Sequence, residues 1–261
     1  MTTPPDYPAG GKSLLAGKTV LVTAAAGTGI GFATAKRCAE EGAIVAISDR
    51  HERRLAESAE ELSAVTGGPV VAVPCDVTVE ADVQLLFTTV TEQLGGLDVL
   101  VNNAGLGGTS TLLEMTDEAW NKVLDVTLNG TMRCTRAALR LMQEQGRGGA
   151  IVNNASVVGW RAQEGQAHYA AAKAGVMALT RCAAVEAATF GVRVNAVAPS
   201  LAMHANLAKV TTDDLLRELT AREAFGRAAE PWEVANVIVF LASDYASYLT
   251  GEVVSVSSQH P

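Results

Sequence analysis

Short blocks of apolar, β-branched residues alternate with amphipathic stretches from residue 18 to residue 256. The first block, 18–23 (Lys-Thr-Val-Leu-Val-Thr), is too short for a helix and suits a pleated, buried surface, so it predicts a strand. A glycine-rich turn follows over 24–31, and 32–41 reads as a helix. The same alternation predicts six more strands, at 43–49, 69–74, 97–101, 150–153, 192–197 and 252–256. Helices are predicted between them at 51–65, 80–94, 118–142, 167–187, 204–224 and 231–242. Thr116 is a candidate N-cap and Pro231 suits a first helical turn. Strictly alternating elements of this kind predict a single α/β domain: a doubly wound, seven-stranded parallel sheet with helices on both faces and right-handed crossovers. The domain is expected over 15–261, after a flexible tail at 1–14, with a substrate lid around 203–227.

In such sheets ligands bind beyond the C-terminal strand ends. Asp49, Asp76, Asn103 and Ser156 all follow strands and therefore fall on that edge. The turn Ala24-Ala25-Ala26-Gly27-Thr28-Gly29-Ile30-Gly31 lies between a strand and a helix, the Rossmann context in which a glycine loop cradles a pyrophosphate. Gly27, Gly29 and Gly31 let backbone approach the phosphates, Ile30 between them counts among the candidate cofactor-binding residues, and the N-terminus of the helix that follows supplies free N–H groups. Asp49 ends the second strand eighteen residues after Gly31. Its carboxylate suits the adenosine ribose hydroxyls and repels a 2′-phosphate, which favours NAD over NADP. Arg50 and Arg53 keep NADP open, because a nearby arginine accommodates that phosphate.

Tyr169 and Lys173 lie four residues apart, and Ser156 lies thirteen residues before Tyr169. On a helix, four residues is one turn, so phenol and ammonium share a face. An ammonium beside a phenol favours the phenolate and equips it to trade protons with an alcohol or ketone. The alternative is a packed tyrosine beside a solvated lysine.

Composition narrows the function classes. The 261 residues are 48% hydrophobic and 18% charged, the balance of a globular chain. A net charge of −8 argues against a nucleic-acid binder that works by neutralising phosphates. No apolar run is long enough to span a membrane, and residues 1–11 lack the basic and apolar blocks of a signal peptide. A cytoplasmic protein is expected. Cys38, Cys75, Cys134 and Cys182 are widely spaced, which predicts buried free thiols and no metal site.

With the glycine loop, Cys75-Asp76-Val77, Asn102-Asn103-Ala104-Gly105, Ser156 and the Tyr169/Lys173 pair together, the chain resembles the short-chain dehydrogenase/reductase family over about residues 15–256. The resemblance implies that Asp76 and Val77 meet the adenine, and that Asn103, Ala104 and Gly105 form the floor beneath the adenosine. Pro199 and Ala202 belong by the same resemblance to the cofactor-binding loop after strand six. Tyr169 is then the acid in reduction and the base in oxidation. Ser156 hydrogen-bonds the substrate oxygen, and Lys173 lowers the tyrosine pKa and holds the nicotinamide ribose.

Several positions depart from that pattern. Ala24 and Ala25 occupy the candidate places of the first glycine, and the loop is one residue longer than usual. Thr127 stands where the family's fourth catalytic residue is an asparagine. Ser200 replaces a glycine, His204 takes the nicotinamide-contact position, and Val256-Ser257-Ser258-Gln259 replaces the usual Val-Asp-Gly-Gly. The chain is similar overall to the family's 3-oxoacyl thioester reductases and to actinobacterial members acting on sterol-ring degradation intermediates as CoA thioesters. An acyl or ring ketone carried on CoA or acyl carrier protein is the implied substrate. The helices from Glu118 and Ala167 carry many small apolar residues, and the resemblance implies that such helices pair between subunits in a homotetramer, with a dimer next. The competing reading is a catalytically degenerate nucleotide-binding scaffold or sensor.

Overall fold

The computed structural model describes residues 13–203 and 213–258, with the side chains of 213–216 excepted. Seven strands, β1 (Thr19–Thr23), β2 (Ile44–Asp49), β3 (Val71–Pro74), β4 (Val99–Asn102), β5 (Gly149–Asn154), β6 (Val192–Pro199) and β7 (Val253–Val256), form one sheet. Their order is β3-β2-β1-β4-β5-β6-β7, and all neighbours are parallel. The strand order reverses between β1 and β4, and this switch point opens the cleft in which the candidate site lies.

Alternation along the strands divides the core. Val20 and Val22 of β1 face one layer with Phe32, Ala35, Leu55, Leu62, Val234 and Ile238, while Leu21 faces the other with Val83, Leu86, Phe87, Cys134 and Met142. The first layer comes from α1 (Ile30–Glu40), α2 (Glu52–Thr66) and α8 (Pro231–Ala242), the second chiefly from α3 (Glu80–Leu94), α5 (Gly130–Gln145) and α6 (Ala167–Ala187). Leu15 is fully buried, so the packed core already includes the start of the described chain. Pro231 does open α8, reinforced by reciprocal capping between Glu230 and Glu233.

The single helix expected over 118–142 is instead two. α4 (Asp117–Leu124), capped by the Thr116 hydroxyl, leads into a π-helical turn at Asp125–Asn129 before α5 begins. One wide turn leaves the apolar period intact on either side, so the pattern runs through it unseen. Of the helix expected at 204–224, α7 (Asp213–Ala221) is present, and 204–212 lie outside the described residues, as do 1–12 of the expected tail. Cys38, Cys75 and Cys134 are buried and free, but Cys182 is exposed, because it lies on the solvent-facing side of α6.

Candidate active site

The glycine turn is anchored from below by the ends of β1 and β4. Thr23 Oγ1 accepts from the backbone N–H groups of Asn103 (3.0 Å) and Ala104 (3.2 Å). Asn103 Nδ2 donates to the carbonyls of Thr23 and Ala24, at 3.2 and 3.0 Å. Ala24 adopts φ +50°, a left-handed conformation that costs an L-residue about 1–2 kcal/mol and turns its carbonyl toward Asn103. A β-carbon on Gly31 would lie 2.4 Å from Asn103 Nδ2 and 2.5 Å from Ala24 O, so only glycine fits where α1 crosses the strand ends. Gly29 is the opposite case: nothing lies within 4 Å of a β-carbon placed there, and no side chain caps α1, which starts at Ile30. The space above Gly29 and the uncapped helix N-terminus fit an anion such as a pyrophosphate. Gly27 has similar open space, and its N–H is held by Ser58 Oγ at 3.0 Å.

Asp49 stands at the end of β2, nearly buried. Its Oδ1 accepts from His51 N at 2.9 Å and its Oδ2 from Ala26 N at 3.4 Å. It thus braces the glycine turn from the end of β2. Arg50 beside it is exposed. Asp76 Oδ1 accepts from the Thr78 N–H (2.9 Å) and hydroxyl (2.7 Å). Burial pushes the Asp76 pKa up, but the two Thr78 bonds and the charges of Arg50 and Arg133 outweigh it and hold the carboxyl below its ordinary value. Val77 is buried and packs against Gly130 so closely that a β-carbon there would lie 2.6 Å from Val77 Cγ2.

Ser156, Tyr169 and Lys173 come together at the other end of the cleft. Ser156 begins a 3-10 turn after β5 and hydrogen-bonds the Tyr169 side chain. Tyr169 and Lys173 share one face in the first turns of α6, with Lys173 Nζ 5.5 Å from the ring centroid. Lys173 is buried and donates to the main-chain oxygen of Asn154 at 2.5 Å. The lysine was expected to set the phenol pKa, but in the free protein burial dominates both groups. It pushes Tyr169 up to about 12, against the opposing Ser156 bond, and Lys173 down to about 8. The ammonium is engaged by a carbonyl rather than by the phenol oxygen.

Thr127 lies within the π-turn, fully buried. Its hydroxyl accepts from Leu106 N at 3.0 Å and donates to Leu106 O at 3.2 Å, clamping the loop after Gly105. Its carbonyl accepts from the Thr131 hydroxyl at 2.8 Å. A β-carbon on Gly105 would lie 3.4 Å from Lys173 Nζ and 3.9 Å from Thr127 Oγ1, so Gly105 is where lysine and threonine approach each other. Pro199 ends β6, and Ala202 forms a parallel bridge with Ala229. His204 lies outside the described residues.

Asn154 was not singled out from the sequence, yet it joins the two ends of the site. Its carbonyl holds Lys173 and its Nδ2 donates to Asn103 Oδ1 at 2.9 Å. The available signal was the repetition of Asn-Asn at 102–103 and 153–154, at the ends of adjacent strands. The inner members, Asn102 and Asn153, hydrogen-bond each other at 2.9 Å and continue to Thr135 and Thr180.

A glycine turn open to an anion, a carboxylate at the end of β2 and a serine–tyrosine–lysine cluster across the cleft fit a dinucleotide and an oxygen-bearing substrate. Residues 24–258 match the family model described as enoyl-(acyl carrier protein) reductase, and the chain belongs to the short-chain dehydrogenase/reductase family of nicotinamide-dependent oxidoreductases. It is 64% identical over 251 residues, 96% of both chains, to the (5R,7aS)-5-hydroxy-7a-methyl-1-oxo-2,3,5,6,7,7a-hexahydro-1H-indene-carboxyl-CoA reductase of Mycobacterium tuberculosis. It is 38% identical over 240 residues to a 3-oxoacyl-[acyl-carrier-protein] reductase of Staphylococcus aureus, covering 92% of this chain and 96% of that one. A short chain dehydrogenase from Mycobacterium smegmatis superposes with a TM-score of 0.88 at 58% identity, over 100% of this chain and 99% of the other. Among the described residues no helix is long and apolar enough to cross a membrane, and no cluster of His, Cys, Asp and Glu could hold a metal.

Proposed function

We propose that this chain interconverts a ring ketone and a secondary alcohol on a fused-ring substrate carried as a CoA thioester, with NAD as the preferred cofactor. The convergence of Ser156, Tyr169 and Lys173 at one end of an open dinucleotide cleft carries the reading. The relative at 64% identity, whose name specifies an indene-carboxyl-CoA, supports the substrate class. Gly27, Gly29 and the N-terminus of α1 hold the pyrophosphate, Asp49 the adenosine ribose, Asp76 and Val77 the adenine, and Lys173 the nicotinamide ribose. A bound nicotinamide supplies the hydride chemistry. Ser156 donates to the substrate oxygen as charge develops there. Tyr169 delivers the proton in reduction and removes it in oxidation. A positive charge nearby lowers the phenol from its high resting pKa, because it favours the phenolate.

The test is an assay of the purified chain with NADH and NADPH over fused-ring keto-acid CoA thioesters and 3-oxoacyl thioesters. Turnover of the ring thioesters with NADH at least tenfold more efficient is expected; tenfold being about 1.4 kcal/mol of transition-state discrimination. Absence of hydride transfer with every substrate leaves the scaffold reading instead. We also infer a homotetramer. α6 exposes Ala171, Ala174, Ala178, Cys182 and Val185, an apolar strip suited to a second copy. A monomer by light scattering at micromolar concentration overturns that inference.

A further inference from the structure

Three stretches of chain meet at the exit of β6: the loop 199–203, the segment 223–229 and the end of β7 with residues 257–258. Four main-chain bonds lace them together. Ser200 N donates to Val256 O (3.2 Å), Ala229 N to Leu201 O (2.8 Å), Met203 N to Ala229 O (2.9 Å) and Ala224 N to Ser258 O (3.2 Å). Glu223 sits inside this junction, 3% exposed. Its Oε1 accepts from Leu201 N at 3.4 Å and its Oε2 from the Ser258 hydroxyl at 2.7 Å.

A buried carboxylate carries a desolvation cost that an apolar side chain of similar volume does not. What it provides instead is direction, with two acceptor oxygens fixing two neighbours at once. Ser258 stands where the family pattern has a glycine, which has no hydroxyl to offer. The Glu223–Ser258 bond is therefore a feature of this chain's own sequence, spanning 35 positions.

We propose that Glu223 is a positioning residue for the nicotinamide end of the cleft. Through Leu201 and Ser258 it fixes the loop from Pro199 to Ala202, and so the seat of the reacting ring beside Tyr169. The inference rests on the oxidoreductase reading above, which assigns that loop to the cofactor. Because Asp49, Asp76 and the glycine turn lie at the other end of the cleft, Glu223 acts on the nicotinamide half alone. A merely structural role would weaken both halves together.

The experiment is a calorimetric titration of ADP-ribose and of NADH and NADPH against the unaltered chain, Glu223→Gln, Glu223→Leu and Ser258→Ala, with thermal unfolding in parallel. The unaltered chain is expected to bind ADP-ribose and at least one of the two dinucleotides. In Glu223→Leu, ADP-ribose affinity stays within about twofold while dinucleotide affinity falls about tenfold, the loss of one hydrogen bond to a charged group. Ser258→Ala moves the same way by less, and Glu223→Gln recovers most of the loss. If Glu223→Leu does not fold, the other two variants decide. Equal weakening of both ligands, or no change in either, overturns the proposal while the oxidoreductase reading stands. Failure of the unaltered chain to bind any dinucleotide overturns both.

Discussion

Lys173 Nζ and the main-chain oxygen of Asn154 lie 2.5 Å apart, and Asn154 in turn holds Asn103 by its side chain at 2.9 Å. The lysine of α6 is thereby connected through the ends of β5 and β4 to the glycine turn. Its burial sets the first prediction. The folded pKa lies near 8, below the 10.5 of a free lysine, so between those values the unfolded chain binds more protons than the folded one. Stability supplied by this group therefore rises with pH across that window. Lys173→Met removes the rise. Urea unfolding near pH 8 and near pH 10 should show the unaltered chain gaining about 1–3 kcal/mol relative to the variant. Tyr169, raised from 10 to about 12 on folding, begins to lower stability near the top of that window, but it does so in both proteins and cancels from the difference. A constant difference between the two pH values would mean that the lysine keeps an ordinary pKa.

Removing the phenol hydroxyl should separate binding from chemistry. Tyr169→Phe is expected to lower turnover by about 10²–10⁴, the usual contribution of a positioned proton donor. Its dinucleotide Kd should change by less than about twofold, since a single hydrogen bond adds little net affinity. Ser156→Ala should cost about 10²–10³ in kcat, as loss of one donor to a developing oxyanion does. Steady-state kinetics with a parallel binding titration reads both. Undiminished turnover in Tyr169→Phe would take that residue out of the chemistry.

Two glycines of one turn should answer the same substitution differently. Gly31→Ala drives a methyl group into Asn103 and the Ala24 carbonyl, so a loss of about 1–3 kcal/mol of stability is expected from overpacking. Gly29→Ala meets no protein atom within 4 Å, and its melting temperature should be nearly unchanged. Its dinucleotide affinity should nonetheless fall, because the methyl occupies the space offered to the phosphates. Calorimetric melting with a nucleotide titration of both variants distinguishes packing from ligand space. Full affinity in Gly29→Ala would place the pyrophosphate elsewhere.

Cofactor choice should turn on the charge of Asp49. Asp49→Asn keeps one acceptor oxygen, for the His51 N–H, gives up the longer 3.4 Å bond from Ala26 N, and removes the repulsion of a 2′-phosphate. The ratio of kcat/KM for NADH over NADPH is expected to fall about tenfold, equal to about 1.4 kcal/mol. Arg50, exposed beside it, then attracts the phosphate. If the ratio does not move, Asp49 serves only as the brace of the turn.

Much of this site was legible in the order of residues. Tyr169 and Lys173 share a face because four positions make one helical turn, and a glycine turn precedes α1 because the chain must be released from β1. The braces were less legible, because their partners are remote in the sequence. Thr23 meets Asn103 across 80 positions, and Lys173 reaches Asn154 across 19. The π-turn holding Thr127 was invisible for another reason: a single wide turn hardly disturbs the spacing of apolar residues.

The amino-acid order alone determined the alternating elements, the parallel sheet and the edge on which the reactive groups gather, because these follow from local periodicity and from which strands must be buried. Only the tertiary structure decided the electrical state of the cluster. How far Tyr169 and Lys173 are removed from water, and which oxygen takes the ammonium's hydrogen bond, depends on packing among residues from separate strands and helices. Burial then outweighs the pairwise attraction that spacing suggested, since desolvation acts on each charged form wherever its partner lies.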